Sequence, residues 1–179
     1  MGQPKQLLPY RATTLLGHTA LVALSLGASE VVVVLGSRAD EVAVALDGLA
    51  VKAVVNDHWS EGMGSSIRVG FQALGPVDVG VIMLADQPSV TAEHLRALVE
   101  RIGNGGCTIA ATSYDGIAGP PCAFSRSEFP ALLALAGDTG ARALIRGGAG
   151  EVAMIEFPDA ALDVDTEADY EKLVQFPTA

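Results

Sequence analysis

The sequence predicts an α/β protein, a three-layer α/β/α sandwich around a mainly parallel sheet. Strand-like apolar runs alternate with segments of helical periodicity along the chain. The run 79–85 (VGVIMLA) carries no polar side chain, which is typical of a strand buried on both faces. No repeat, linker or low-complexity tract interrupts the alternation. Strands joined through helices form parallel sheets with right-handed crossovers.

Local signals place the elements of the first half of the chain. Apolar residues recur at helical spacing over 15–26, and Gly27 ends that helix. The β-branched run at 30–35 (EVVVVL) predicts a strand. The same reasoning gives the remaining elements of this half: a helix over 39–46, a strand over 51–55, a helix over 65–74 and the strand over 79–85.

Capping signals place the elements of the second half. Thr91 is expected to cap a helix through residue 102, and a strand follows over 108–112. Ser125 and Thr166 each begin a capping-box spacing. These signals predict a helix to residue 136, a short helix after Asp138, a strand over 152–157 and a terminal helix.

Length and composition restrict the class of protein. The 179 residues, half of them hydrophobic, fit one domain spanning 1–179. The apolar runs are too short to cross a membrane, and no secretory signal is evident at the start. The net charge of −10 disfavours a nucleic-acid partner. Cys107 and Cys122 suggest reduced thiols, and therefore a cytoplasmic protein.

A carboxylate and a rigid turn follow the buried run, in the segment 84–88 (LADQP). Ligands of open α/β sheets bind beyond the carboxyl ends of such strands, so we expect Asp86 to hold a substrate or a metal. A turn-stabilising role before Pro88 is the alternative. Asp165 precedes the terminal helix and is expected at the same edge, or as a helix-entry residue. Asp163, two positions away, ranks behind Asp165.

Six segments, in order and over nearly the whole length, resemble the molybdenum cofactor cytidylyltransferases and their close relatives. This is a branch of the nucleotidyltransferases that includes the molybdopterin guanylyltransferases. The segments are MGQPKQLLP at 1–9, EGMGSSIRVG at 61–70, LADQP at 84–88, GPPCAF at 119–124, GDTGAR at 137–142 and DVDTEADY at 163–170.

The resemblance implies a Rossmann-like sheet and a nucleotidyltransferase reaction. It implies transfer of CMP from CTP to the phosphate of molybdopterin, with release of pyrophosphate, for xanthine dehydrogenase-type hydroxylases. Family members carry a strand and a glycine-rich loop before the Met-Gly at which this sequence begins, so we expect the domain 1–179 to lack both. A guanylyltransferase, a sugar- or alditol-phosphate nucleotidyltransferase and a non-catalytic cofactor-binding accessory protein are alternatives.

The chemistry of that reaction makes the charged residues candidates, and the resemblance assigns Asp86 and Asp165 to the metal. Both substrates are anionic, so the site must neutralise charge, and Mg²⁺ held by one or two carboxylates does so. Asp86 and Asp165 are the expected Mg²⁺ ligands. Lys5 is the expected cation for the triphosphate, with a solvated surface lysine as the alternative.

The nucleotide and acceptor sides are assigned by resemblance together with local pattern. The nucleotide is expected at a glycine- and hydroxyl-rich helix start, although Ser65 alone is equally a helix cap. Arg142 is expected toward the acceptor phosphate, with a paired surface arginine as the alternative. The rigid turn 119–121 is expected to line the acceptor side. The nucleotide residues are Gly2, Lys5, Gly62, Met63, Gly64, Ser65, Ser66 and Asp86, and the acceptor residues are Gly119, Pro120 and Arg142.

Overall fold

A computed structural model describes residues 4–114, 116–147 and 152–175. Its strands are β1 (Pro9–Tyr10), β2 (Thr13–Thr14), β3 (Val32–Leu35), β4 (Lys52–Val55), β5 (Val79–Ile82), β6 (Ile109–Tyr114), β7 (Ile117–Ser125) and β8 (Val152–Glu156). Its α-helices are α1 (Leu15–Ser25), α2 (Ala39–Ala43), α3 (Met63–Ala73), α4 (Ala92–Gly103), α5 (Phe129–Leu133), α6 (Ala141–Gly147) and α7 (Glu167–Gln175). Short 3₁₀ helices cover Lys5–Leu7, Val44–Leu46, Trp59–Glu61, Arg126–Glu128 and Pro158–Ala161.

The main sheet has the strand order β5-β7-β6-β8. β7 runs antiparallel to β5 and to β6, whereas β6 and β8 are parallel. β5, β6 and β8 therefore point the same way, and β7 alone is reversed. β3 and β4 form a separate parallel pair. The α/β class is confirmed, with a sheet that is mixed because of one strand.

Helices cover both faces of the main sheet, because side chains alternate along β6 and β7. Ile109 and Phe124 belong to a core cluster with residues of α3, α5 and α6. Ala110 and Ala123 face the other way and pack with residues of α4. The sheet is thus the middle layer of a three-layer sandwich, as predicted.

The turn predicted at 119–121 is wrong, because these residues lie inside β7. The register with β6 shifts here: Ala111 pairs with Cys122, but Thr112 pairs with Gly119. Pro120 and Pro121 thus form a two-residue bulge. A proline pair indicates a turn from sequence alone, but a bulge is also a place in a strand where no backbone N–H is required.

The end of β5 and the helix predicted after Ser125 also differ from the structure. β5 ends at Ile82 rather than at residue 85. Ser125 does not cap a helix to residue 136, and α5 ends at Leu133. The reason is that Ser125 remains in β7, where its N–H donates to the carbonyl of Thr108 over 2.8 Å. The capping signals at Thr91 and Thr166 are confirmed by side-chain hydrogen bonds.

β3 and β5 lie in one layer because the same two helices pack on both strands. Leu16 and Ala20 of α1 share a core cluster with Leu35 of β3, and Val22 of α1 packs against a second cluster, to which Val81 of β5 also contributes. On α3, Gly70 approaches β3 and Phe71 approaches β5. Among the described residues, however, no strand pairs with the second edge of β3 or of β5.

Candidate active site

Lys5, Asp86 and Asp165 come together beyond the end of β5. The Nζ atom of Lys5 lies 2.8 Å from Oδ2 of Asp86 and 2.7 Å from Oδ1 of Asp165. The side chain of Asp86 is 23% exposed and that of Asp165 is 69% exposed, so the cluster opens to solvent on the Asp165 side. Residues separated by about half the chain or more therefore form one charged group; the sequence predicted the approach of the two aspartates but placed Lys5 at the triphosphate rather than on these carboxylates.

Backbone hydrogen bonds join the two carboxylate segments. The N–H of Val164 donates to the carbonyl of Asp86 over 3.0 Å. The side-chain amide of Gln87 donates to the carbonyl of Ala160, also over 3.0 Å. The segment before α7 is thereby fixed against the turn after β5, which explains why Asp165 reaches Asp86.

Three oxygens of this region are buried without a hydrogen-bond partner among the described residues: Oδ1 of Asp86, Oε1 of Gln87 and Oδ1 of Asp163. Unpartnered buried acceptors are costly, and a cation or a donor from a ligand would satisfy them. Burial, followed by the negative charge of Asp86, raises the pKa of Asp163 above its ordinary value. The region therefore carries an excess of acceptors.

The donor set fits a hard divalent cation, which prefers oxygen ligands. The described residues contain no preassembled group of three His, Cys, Asp or Glu side chains that could hold a metal. A site with one or two carboxylates suits Mg²⁺ or Mn²⁺ when phosphates and water complete the coordination. Asp86 and Asp165 match that arrangement.

Lys5 is charged in this environment. Burial alone would lower the pKa of Lys5, but hydrogen bonds to Asp165 and Asp86, together with their negative charge, raise the pKa above its ordinary value. The ammonium therefore neutralises part of the carboxylate charge while no other cation is bound.

The glycine-rich segment 62–66 opens α3, two residues earlier than predicted. It packs tightly on the loop 136–139: the N–H of Gly64 donates to the carbonyl of Gly137 over 3.0 Å. Gly62 has φ +111°, and a Cβ atom there would clash with Gly137 and Asp138. Both glycines are thus required by local packing.

The hydroxyls of this segment are partly used within the protein. Ser65 is buried, accepts a hydrogen bond from Asn56 Nδ2 at 2.8 Å and lies 2.8 Å from the carbonyl of Gly62. Ser66 accepts from the same amide at 3.0 Å. Met63 is 49% exposed. Asn56, which the sequence analysis missed, organises both serines, and the signal for it was its position directly after β4.

Arg142 and Gly119 meet on the acceptor side. A Cβ atom at Gly119 would lie 2.9 Å from Nε of Arg142, and Arg142 Nη2 donates to the hydroxyl of Tyr114 over 2.9 Å. Pro120 is buried beside them in the bulge. Asp163 interacts electrostatically with Asp86 and, more weakly, with Arg142. Sequence reasoning missed Tyr114, which has no charge or motif to mark it.

The predicted residues therefore form three groups: the Lys5 cluster, the segment 62–66 and the Arg142 group. Within the described residues, no hydrogen bond joins the segment 62–66 to the Lys5 cluster. Gly2 lies outside the described residues. A separate cleft of about 510 Å³ lies at the ends of β3 and β4, lined in part by Gly36, Asn56 and Trp59. Neither Asp86 nor Asp165 lines this cleft.

Comparison with known proteins identifies the family. Residues 1–153 match the model of the MobA-like NTP transferase domain. Nicotine blue oxidoreductase from Paenarthrobacter nicotinovorans is 32% identical over 91% of this chain and 84% of its own. Purine catabolism protein PucB from Bacillus subtilis is 32% identical over 96% of this chain and 88% of its own.

A solved relative contains a metal ion. Rv0371c from Mycobacterium tuberculosis, described as a complex with manganese, has a TM-score of 0.82 and 35% identity, covering 98% of this chain and 94% of that chain. The expectation of a divalent cation is consistent with that relative. Within the described residues, no helix is long and apolar enough to cross a membrane. The chain belongs to the MobA-like NTP transferase family and is a nucleotidyltransferase.

Proposed function

We propose that this protein transfers CMP from CTP to the terminal phosphate of molybdopterin and releases pyrophosphate. The observation that carries the proposal is the cluster of Lys5, Asp86 and Asp165, a cation flanked by two carboxylates in a nucleotidyltransferase fold. The product would be the dinucleotide cofactor of a xanthine dehydrogenase-type hydroxylase, the partner that receives it. The free thiols of Cys107 and Cys122 support a cytoplasmic location.

Asp86 and Asp165 would hold Mg²⁺, which neutralises phosphate charge and polarises the α-phosphorus when bound. An oxygen of the acceptor phosphate attacks the α-phosphorus, the new P–O bond forms, and the bond to the β-phosphate oxygen breaks. Because the nucleophile is already an anion, no general base is required. Positioning and charge neutralisation by the protein supply the rate.

Lys5 has a second role in this proposal. Its ammonium rests between Asp86 and Asp165, the place that a divalent cation also needs. On arrival of nucleotide and metal, Lys5 would move from the carboxylates to the triphosphate. A lysine is suited to this exchange because its charge sits on a long flexible stem.

The remaining predicted residues would bind the two substrates. Gly62, Met63 and Gly64 would approach the base and ribose, together with Ser65 and Ser66. Since the Gly64 N–H and the Ser65 hydroxyl already have protein partners, we assign them to shaping this wall rather than to direct donation. Gly119, Pro120 and Arg142 would line the acceptor side. Gly2 remains a predicted nucleotide-binding residue.

The proposal names CTP as the nucleotide donor and molybdopterin as the acceptor. The six motifs support both choices. The name of PucB, a purine catabolism protein, associates one relative with the metabolism of heterocyclic compounds. One relative is named an oxidoreductase, which makes nucleotide binding coupled to redox chemistry a second candidate.

We also propose that residues 1–179 form one nucleotidyltransferase-like domain in which a further strand belongs between β3 and β5. The support is the pair of unpaired edges in one layer. Apolar residues of these strands, such as Val33 and Ile82, are only partly buried, as expected where a neighbouring strand is absent. A strand in this slot would pair with both sheets and join them.

The test is a substrate panel. Pyrophosphate release is measured with CTP, GTP, ATP and UTP, each with Mg²⁺ and with molybdopterin, a sugar phosphate or no acceptor. CTP-selective release that requires molybdopterin supports the proposal. Selectivity for GTP or for a sugar phosphate would replace it by one of the transferase alternatives. Oxidation of a reduced nicotinamide cofactor by an added electron acceptor, without pyrophosphate release, would favour the redox candidate.

A further inference from the structure

Within the part of the chain that the structure describes, the one hydrogen-bond partner of Arg142 is neutral. Its Nη2 donates to the Tyr114 hydroxyl over 2.9 Å. Within the described residues, no carboxylate lies within ion-pair distance of it, whereas Arg38, Arg68 and Arg96 each pair with a glutamate. A guanidinium has five N–H donors, so Arg142 keeps most of its capacity for an anionic ligand.

The backbone of β7 leaves space for this guanidinium because residue 119 has no side chain. A Cβ atom there would lie 2.9 Å from Arg142 Nε and 3.2 Å from the Tyr114 hydroxyl. Any larger residue would therefore displace Arg142. Gly119 lies directly before the bulge at Pro120 and Pro121, so the position of the guanidinium is coupled to that irregularity.

Tyr114 is a rigid support for Arg142. It is the last residue of β6, it pairs with Ile117 of β7, and it is only 5% exposed. Its hydroxyl accepts from Arg142, and its own proton has no acceptor among the described residues. One phenol therefore holds the guanidinium and keeps a donor free.

Asp163 relates the Arg142 group to the carboxylates. Its electrostatic partners include Asp86 and, more weakly, Arg142. Arg142 and a proposed metal ligand therefore both act on this carboxyl group. A phosphate monoester, with its two negative charges and several acceptor oxygens, forms charge-assisted and often bidentate hydrogen bonds with a guanidinium.

We propose that Tyr114 positions the Arg142 guanidinium against Gly119, so that the guanidinium is held where the acceptor phosphate would bind. Tyr114 is then a positioning residue that restricts the acceptor to molecules with a terminal phosphate. This inference rests on the proposed function, because it assigns one substrate to one end of that site.

The kinetic test compares Tyr114→Phe with Arg146→Ala as a control, because Arg146 lies one turn further along α6. Loss of the hydroxyl is expected to raise the acceptor KM about tenfold, with little change in the CTP KM. Arg146→Ala should change neither constant. Gly119→Ala should resemble Tyr114→Phe, since it displaces the same guanidinium. An unchanged acceptor KM in a folded Tyr114→Phe variant would overturn the inference.

A labelling test is independent of turnover. Phenylglyoxal modification of each arginine is followed by mass spectrometry, with and without inorganic phosphate. We expect phosphate to protect Arg142 but not Arg146, and this protection to weaken in Tyr114→Phe. Equal labelling of Arg142 with and without phosphate would contradict the inference. Protection without transfer in the substrate panel would refute the proposed function alone and leave the anion receptor standing.

Discussion

At the residue scale, a divalent cation and the Lys5 ammonium would compete for the same two carboxylates. Lys5 lies within 2.8 Å of Asp86 and within 2.7 Å of Asp165. A metal that binds both carboxylates must displace the ammonium, and the partly exposed ion pairs make this exchange inexpensive. The same lysine then becomes available for phosphate. Charge exchange at one position would thus couple nucleotide binding to metal binding.

Lys5→Met is therefore expected to have opposite effects on metal binding and on catalysis. Without nucleotide, Mn²⁺ affinity should rise about fivefold, because an ion pair worth about 1 kcal/mol no longer competes. Nucleotidyl transfer should fall, because the triphosphate loses a cation. Mn²⁺ binding is measured by electron paramagnetic resonance. Lys172→Met on α7 serves as the control, and an unchanged Mn²⁺ affinity in Lys5→Met would contradict the exchange.

At the element scale, a buried polar chain joins α4 to the bulge of β7. The Thr112 hydroxyl donates to the carbonyl of Pro121 over 2.6 Å and lies 2.7 Å from Nε2 of His94. Because Thr112 has a single proton, the Nε2–H of His94 must be the donor to it. Phe157 stacks on the imidazole at 4.3 Å. Burial lowers the pKa of His94 and favours this neutral form.

This arrangement predicts sensitivity to acid. The pKa of His94 is lower in the folded than in the unfolded chain, so its contribution is complete above the ordinary pKa of 6.5 and is lost as pH falls below it. The free energy of unfolding is measured with urea at pH 7.5 and at pH 5.5. Its fall between the two pH values should be smaller for His94→Gln than for wild type. His18, whose pKa burial also lowers, remains in both proteins. Equal losses would refute the assignment.

Local sequence signals predicted most helices and strands, but not the elements that depend on distant contacts. Thr91 and Thr166 cap helices as their spacing indicated, since capping is a local interaction. β7 was missed because the proline pair has no local feature that distinguishes a bulge from a turn. The position of Asp86 after a strand and that of Asp165 before a helix predicted that both lie at the same edge of the sheet. Tyr114 acts through a contact that no local pattern encodes, whereas the position of Asn56 directly after β4 was a local signal that was not used.

At the scale of the whole molecule, the two sheets share helices but not hydrogen bonds. α1 and α3 cover both β3 and β5, yet each strand has one edge without a partner among the described residues. Unpaired strand edges expose N–H groups to solvent and are sites of local opening. The site beyond β5 is therefore built on the less constrained part of the sheet.

Hydrogen exchange should reveal this difference. Amides of β3 and β5 are expected to exchange faster than those of β6, which has a partner on both sides. Fusing an apolar strand and a glycine-rich loop before residue 1 should slow exchange in β3 and β5 and raise Tm. A polar, glycine-serine extension of the same length is the control. Equal protection of β3, β5 and β6 in the present chain would contradict an open slot.

The most direct measurement for the whole account is metal-dependent pyrophosphate release from CTP and molybdopterin by wild type, Asp86→Asn and Asp159→Asn. Asp159 is an exposed aspartate in the 3₁₀ helix Pro158–Ala161, so it is a matched control for charge. The account predicts that Mg²⁺ or Mn²⁺ is required, that Asp86→Asn lowers release by about a hundredfold or more, and that Asp159→Asn leaves it unchanged. Undiminished, metal-independent release by folded Asp86→Asn would contradict the central claim that this carboxylate cluster is the catalytic centre.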